Sequence, residues 1–374
     1  MFTTEAVKHN PEIFTFWKGR VALYAILKAL EIGPGDGVIL PGYTCMVVPS
    51  AVAFAGAHPL YADVDGQSYN VTQDSLEATW RASRGIRPRA IIIQHTYGIP
   101  VEAAPILEWA RQEGLAVIED CAHVSGSSYR GIPCGQLGDA AFFSTQWNKP
   151  LTTGLGGWAV SVNPVVAQRL RRIRETFRRP QVPELGLLVM QFYAHRLLFR
   201  PRLYWPLMTM FRALGRQGLA AASSSRREFD LEMPRHYAKR MSALQERLLR
   251  KAQGQARRIS SHRRRVSDFY ARELAAAGFE LPGLPEQSRA VLLRYPVKVK
   301  DKERLLVLSR EHSLELGDWF VSPLHPLADR WDRLGYRAGS CPVAEELCRV
   351  TVNLPTHRRV NDEDARKIMA LLSG

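Results

Sequence analysis

The hydrophobic pattern along the chain switches between two periods. Short apolar runs at Val38 to Pro41, Pro59 to Asp65, Ala90 to His95, Ala116 to Cys121, Ala140 to Thr145 and Gly157 to Val162 read as strands. Continuous rather than alternating apolar residues suit strands covered on both faces. Between them, Val21 to Leu30, Thr44 to Ala55, Ser75 to Ala82 and Ala103 to Glu113 carry helical spacing, with Gly33, Gly56 and Gly114 placed as stops. This alternation from residue 19 to 163 predicts a mostly parallel sheet flanked by helices, so the fold class is α/β.

After Asn163 the alternation breaks. A basic helix, RLRRIRETFRRP, leads into an apolar, aromatic stretch from Leu185 to Leu214 and then a polar AAASSSRRE segment. Met241 to Ala277 reads as a long charged helix or a helix pair linking two domains. The remainder returns to α/β: a strand near Val291 to Val299, a helix from Lys302 to Glu311, a strand near Val350 to Asn353 and a helix from Asp362 to Leu372. The expected division is a large domain over 1–245, with an insertion at about 165–235, and a linking helix plus small C-terminal domain over 246–374.

Composition narrows the class. With 374 residues, 46% hydrophobic and 23% charged, the chain can bury two or three cores and is neither disordered nor a multi-span transporter. Cys45, Cys121, Cys134, Cys341 and Cys348 are scattered without a CxxC pair, which argues against a disulfide framework and against a metal site. A net charge of +15 invites a nucleic-acid reading, but it is local: Arg169 to Arg265 holds 24 Lys/Arg against 6 Asp/Glu, and the rest holds 27 against 30. No recognition motif accompanies these arginines, so no nucleic-acid partner is expected. The start, MFTTEAVKHNPE, has no basic segment followed by an apolar one, and cytoplasm is the expected compartment.

Two strands end in ionisable residues: VIEDCAH, Val117 to His123, and FFSTQWNK, Phe142 to Lys149. Ligands of open parallel sheets bind beyond the carboxyl ends of the strands, so Asp120 and Lys149 would face one crevice if the two strands are neighbours. Alone, an Asp at a strand end caps a helix and a Lys is solvated; the pairing makes the case. Gly19 and Arg20 open a helix whose free N–H groups form a natural phosphate cradle.

These motifs stand in order with GRVALYAILKALEIGPGDGVILPGYT, GAHPLYADVD, IIIQHTYGIP, VIEDCAHVSGSSYRGIPCGQLGD, FFSTQWNKPLTTGLGG, YAKRMSALQ and CPVAEELCRVTVNLPTHRRVNDED. Together they resemble the DegT/DnrJ/EryC1/StrS family of sugar aminotransferases, pyridoxal 5'-phosphate enzymes of the aspartate-aminotransferase fold (fold type I). The resemblance covers most of the chain. It implies that Lys149 carries the cofactor and shuttles a proton, that Asp120 pairs with the pyridine nitrogen, and that His123 lies by the ring and its 3-hydroxyl. It further implies that Ser144, Gly19 and Arg20 face the cofactor phosphate. The expected reaction moves an amino group, from glutamate as the family donor, to a keto-sugar on a nucleotide or lipid carrier, in a homodimer. Dehydration or acyl transfer on the same fold, and a non-catalytic membrane-associated regulator, are the rival readings; Lys149 argues against the dehydratases, which replace it with His.

The chain also departs from the pattern. The aromatic that stacks on the cofactor in relatives is Cys45, with Tyr43 or Trp147 as candidates to replace it. Leu155 stands for a glutamate in TTGLGG, and Ala238 for an asparagine that reaches the partner subunit's phosphate, with Lys239 as its substitute. In the insertion, LGLLVMQFYAH, Leu185 to His195, is uncharged and too short to span a bilayer. Arg178, Arg179, Arg196, Arg200, Arg202, Arg212 and Arg216 bracket it, with Phe192, Tyr193, Tyr204, Trp205 and Phe211 interleaved. Residues 182–216 are thus expected on an anionic membrane surface through a face that includes Leu188 and Phe192, or else on a partner subunit; the compartment becomes the inner face of the membrane.

Overall fold

The computed structural model describes residues 11–83, 85–198 and 224–373. Its centre is a seven-stranded sheet made from β1 (Phe14–Phe16), β2 (Asp36–Pro41), β4 (His58–Ala62), β5 (Arg87–Gln94), β6 (Ala116–Asp120), β9 (Ala140–Ser144) and β10 (Gly157–Ser161) in the order β1-β10-β9-β6-β5-β2-β4. The block from β9 to β4 is parallel, and β10 closes antiparallel on β9. β3 (Thr44–Cys45), β7 (Ser128–Tyr129) and β8 (Ile132–Pro133) form short side pairings. The apolar runs picked out in the sequence are these strands, shifted by a few residues at their ends. Only β1, three residues on the sheet edge, lies outside them.

Helices cover both faces. On one, α1 (Gly19–Ala29), α2 (Val47–Phe54) and a basic helix, α5 (Pro164–Thr176), bury Leu23, Ile26, Val52 and Leu170 against Val38, Ile92 and Ile118. On the other, α3 (Gln73–Ala82) and α4 (Ala103–Gln112) join a core that continues into the C-terminal part. Local chemistry fixes the ends: Thr72 and Ser75 cap α3 reciprocally, and the Asn163 side chain with Pro164 starts α5. An Ala at such a cap costs about 1 kcal/mol.

From residue 182 the chain forms α6 (Val182–Leu198), the short α7 (Arg226–Phe229), then α8 (Ala243–Gly254) and α9 (Ala256–Ala276), so the charged stretch is a helix pair. The last part contains β11 (Ser288–Arg289), β12 (Arg294–Lys298), α10 (Lys302–Glu311), β13 (Leu324–His325), α11 (Pro342–Val350), β14 (Thr351–Pro355) and α12 (Asp362–Ser373), with β12 antiparallel to β14. β13 pairs with β3, which ties this part to the edge where the parallel strands end.

The helix α6 corrects one expectation. Leu188 is buried with Trp17 and Leu155, and Phe192 packs against Trp147, so these two side chains face the protein. Val182, Met190, Tyr193 and Leu197 form the exposed apolar side. Arg200, Arg202, Tyr204, Trp205, Phe211, Arg212 and Arg216 lie outside the described residues. Among the described residues no helix is long and apolar enough to cross a membrane.

Candidate active site

β6 and β9 are neighbours, with Asp120 beside Phe142, so Asp120 and the loop after Ser144 share one edge. Asp120 is buried, and its Oδ1 accepts the Ala122 N–H at 2.8 Å. Burial pushes its carboxyl up to about 6, with the Ala122 N–H and the Lys149 charge opposing the shift only in part. Among the described residues no cation is in salt-bridge contact with it. The site therefore holds a buried carboxylate that a cation would relieve.

Lys149 stands on a loop locked by paired contacts between Thr145 and Thr153 and by Gly156, where a Cβ would lie 2.2 Å from Thr145 Oγ1. Burial lowers its ammonium, while Cys45 and Asp120 act the other way. Its Nζ lies 5.2 Å from the centre of the Trp319 ring. His123 is buried and accepts the Tyr97 N–H on Nδ1 at 3.1 Å, which leaves its proton on Nε2. Burial, then Lys149 and Arg294, hold its pKa well below the usual histidine range. The neutral ring stacks on Trp319 at 5.5 Å and 15°.

The N-terminus of α1 lies at the end of β9, beside Ser144. α1 begins after Lys18, which makes no side-chain cap, and no acidic residue sits in its first turn. Gly19 presses so closely on β9 that a Cβ there would meet Ser144 Cβ at 3.0 Å and Phe143 O at 3.1 Å. Ser144 is thus brought beside open helix N–H groups. The Arg20 side chain is buried, with Nη1 donating to Glu228 at 2.5 Å and Nε lacking a partner. Lys18 also reaches Glu228, at 3.2 Å, and burial with Arg20 lowers its pKa to about 8. Burial would raise Glu228, yet Arg20 and Lys18 hold it at about 2. Lys239 pairs with Glu184 of α6, and its Nζ is 5.9 Å from the Trp17 ring centre, inside its own chain.

Cys45 is half-buried near Lys149 and supplies no aromatic face. The two sequence candidates are engaged elsewhere in the structure. Tyr43 is fully buried, bonded to Tyr97 Oη at 2.9 Å and packed edge-on against Phe320, while Trp147 packs with Phe192. Trp319 is the aromatic at Lys149. It was missed because it comes from the C-terminal part; the signals were a Trp-Phe pair and a charged Arg294 inside an apolar strand, LLRYPV. A buried His95, Glu119 and Cys121 group has metal-ligand spacing, but the Glu119 oxygens accept the Gly135, Leu137 and Gly138 N–H groups and His95 Nε2, so their lone pairs serve the fold.

This donor set suits a phosphorylated, cationic ring: an uncapped, buried helix N-terminus with Ser144 at one end, and a buried carboxylate without a salt bridge, with an amine, at the other. Comparison with known proteins agrees. The family model of the DegT/DnrJ/EryC1/StrS aminotransferase family matches residues 6–184 and 205–373. The UDP-N-acetyl-3-dehydro-alpha-D-glucosamine 3-aminotransferase of Acidithiobacillus ferrooxidans is 26% identical over 356 residues, covering 95% of this chain and 81% of that protein. The dTDP-4-dehydro-2,3,6-trideoxy-D-glucose 4-aminotransferase of Saccharopolyspora spinosa is 29% identical over 385 residues, covering 98% and 86%. A solved DegT DnrJ EryC1 StrS aminotransferase from Brucella abortus shares the fold, with a TM-score of 0.75 at 23% identity over 97% of this chain and 85% of that one.

Proposed function

The chain belongs to the DegT/DnrJ/EryC1/StrS aminotransferase family and is a pyridoxal-phosphate-dependent aminotransferase, and on that premise we propose that it transfers an amino group from glutamate to a keto-sugar carried on a nucleotide. The observation that carries the reading is the opposition of Asp120 and Lys149 beyond the ends of two adjacent parallel strands. The nucleotide carrier follows the names of the two curated relatives, both aminotransferases of nucleotide-linked dehydro-sugars.

Bound pyridoxal phosphate supplies an electron sink through its protonated ring nitrogen and a carbonyl carbon at which the amino group is exchanged. The chain's own residues do the rest. Asp120 keeps the ring proton in place by its negative charge. Lys149 would hold the cofactor and, as a free amine, would carry a proton to and from the substrate carbon; burial lowers its pKa, which favours the free base. His123 donates from Nε2 toward the ring oxygen, since Tyr97 fixes its tautomer. The Gly19 and Arg20 N–H groups and Ser144 Oγ would bind the phosphate, with Arg20 and Lys239 nearby, paired to Glu228 and Glu184. Cys45 leaves room, and Trp319 covers the amine against water.

Incubating the protein and its cofactor with glutamate and a panel of nucleotide and lipid-linked keto-sugars, read by mass spectrometry, tests the proposal. An aminated sugar with release of 2-oxoglutarate supports it. Dehydrated or acylated products, or none, would replace it with a rival reaction.

We further propose a homodimer, checked by light scattering, and a division into a large cofactor domain over 1–245 and a smaller part over 246–374. The outer side of α6, with Val182, Met190, Tyr193 and Leu197 beside Arg178 and Arg179, supports a peripheral position on an anionic membrane surface.

A further inference from the structure

The inserted segment meets the N-terminus of α1 at both of its ends. Glu184, in the first turn of α6, pairs with the ammonium of Lys239. Glu228, on α7, accepts Arg20 Nη1 through Oε1 at 2.5 Å and Lys18 Nζ through Oε2 at 3.2 Å. It is buried, and Ser225 holds it in place by giving its N–H at 2.8 Å and its hydroxyl at 3.0 Å to the same Oε2. Ser224 Oγ takes a second bond from Arg20 Nη1, at 3.0 Å. Among the described residues these two carboxylates are the ones in salt-bridge contact with Lys18, Arg20 and Lys239.

The three cations belong to the cofactor end of the site. Lys18 and Arg20 flank Gly19, whose backbone is pressed on Ser144. The Lys239 carbonyl accepts the Trp17 N–H at 3.0 Å, and the Lys239 charge reaches Lys18. The Arg20 charge reaches Lys149. A phosphate seated on the Gly19 and Arg20 N–H groups therefore enters a place where each of these cations is already held by a carboxylate of the inserted segment. Two anions that share cations weaken each other, because their repulsion in a poorly hydrated site is stronger than in water. By linkage, what the carboxylates take from phosphate binding, phosphate takes from the docking of α6 and α7.

We propose that Glu228 and Glu184 compete with the cofactor phosphate for the cations around the α1 N-terminus, so that these two residues set how tightly the chain holds its cofactor and couple that hold to the docking of the inserted segment. This rests on the aminotransferase reading, under which the phosphate lies there. Glu228 is the stronger competitor: its side chain is 4% exposed against 35% for Glu184, and it meets two cations rather than one. When Lys149 is a free amine, non-covalent contacts alone retain the cofactor, and the phosphate end is where its negative charge is held.

Calorimetric titration of the cofactor-free protein with inorganic phosphate at low ionic strength reads the competition directly. Glu228→Gln, nearly isosteric and neutral, should bind phosphate about tenfold more tightly than the wild type, and Glu184→Gln about threefold more tightly. Glu228→Asp keeps the charge and should bind nearer to the wild type than Glu228→Gln does. Glu232→Gln alters an exposed carboxylate paired with Arg227 and should leave the affinity unchanged. Glu228→Gln also strands two cations, so without phosphate it should melt below the wild type, and phosphate should raise its melting temperature more. Carboxylates that only hold the fold would, when neutralised, lower stability and phosphate affinity together. Equal or weaker phosphate binding in Glu228→Gln and Glu184→Gln, the same gain in Glu232→Gln, or no phosphate binding in any of the proteins would each overturn the assignment. Should Glu228→Gln not fold, Glu184→Gln decides. Failure of the aminotransferase reading shows separately, as a wild type whose absorbance does not change on adding pyridoxal phosphate, and the phosphate titration still decides whether the two carboxylates compete for that end.

Discussion

Replacing Asp120 by Asn separates the electrostatic part of cofactor binding from the rest. In the protein without cofactor, burial raises the carboxyl from 3.8 to about 6. That is roughly two pK units, or about 3 kcal/mol of disfavoured charge. The sign follows from proton counts: between pH 3.8 and about 6 the folded chain holds a proton that the unfolded chain has lost, so this group's contribution to stability falls as pH rises through that window and is flat above it. A cation bound at Asp120 removes the penalty, so binding releases the proton and cofactor affinity rises with pH up to about 6. An amide has no charge to rescue. Wild type should therefore bind pyridoxal phosphate up to about 100-fold more tightly than Asp120→Asn at pH 8. The ratio should shrink about tenfold for each pH unit below 6. Absorbance titrations of both cofactor-free proteins from pH 5 to 8 measure it, and ionisation of the ligand's own phosphate cancels in the ratio. The variant should fill at higher cofactor concentration yet lose most of its turnover. A ratio that stays flat across the range, or full turnover in the variant, would refute the role given to Asp120.

Reduction of the holoenzyme with borohydride, followed by peptide mapping, should place the pyridoxyl group on Lys149; Lys149→Ala should lose transamination without lowering the melting temperature, because it removes an amine that burial already disfavours. A label on another lysine would shift the site. Glu119→Gln should cost roughly 3–5 kcal/mol, since a side-chain amide turns a donor toward buried N–H groups that now give to both carboxylate oxygens. Calorimetry measures that, and a loss under about 1 kcal/mol would mean that the network rearranges freely. Met190→Glu with Leu197→Glu should abolish sedimentation with anionic liposomes while leaving the dimer intact; if the pair instead splits a dimer, the outer side of α6 is a subunit interface.

The large sheet and the two groups at its edge were legible because each has a local signature. A doubly covered strand is an uninterrupted apolar run, and Asp120 and Lys149 follow such runs directly. The helix pair over 243–276 was half legible: its charge pattern continues across the break at Gln255, so periodicity alone could not count helices. Trp319 and Arg294 were not legible. Each is one residue in an ordinary segment; the pairing of β12 with β14 and the bonds of the Trp319 carbonyl to Tyr97 and Asn353 bring them toward Lys149. Contacts of high sequence separation leave no trace in spacing.

The insertion shows the same limit from the other side and resolves one departure from the family pattern. α6 is apolar around much of its circumference, so the sequence offered Leu188 and Phe192 as readily as Met190 and Leu197 for an outward face. What chooses between them is the surface beneath. Leu155, where the family resemblance implies a glutamate, is almost wholly buried and packs with Trp17 and Leu188. A carboxylate at that position would sit unpaired under an apolar helix, at a cost of several kcal/mol. Gly154 adds the same constraint, since a Cβ there would lie 2.9 Å from Leu188 Cδ1 and 3.0 Å from Trp147. The loop that carries Lys149 and the helix above it are therefore mutually fitted: α6 covers the apolar Leu155 and the bare Gly154, and turns its other side out.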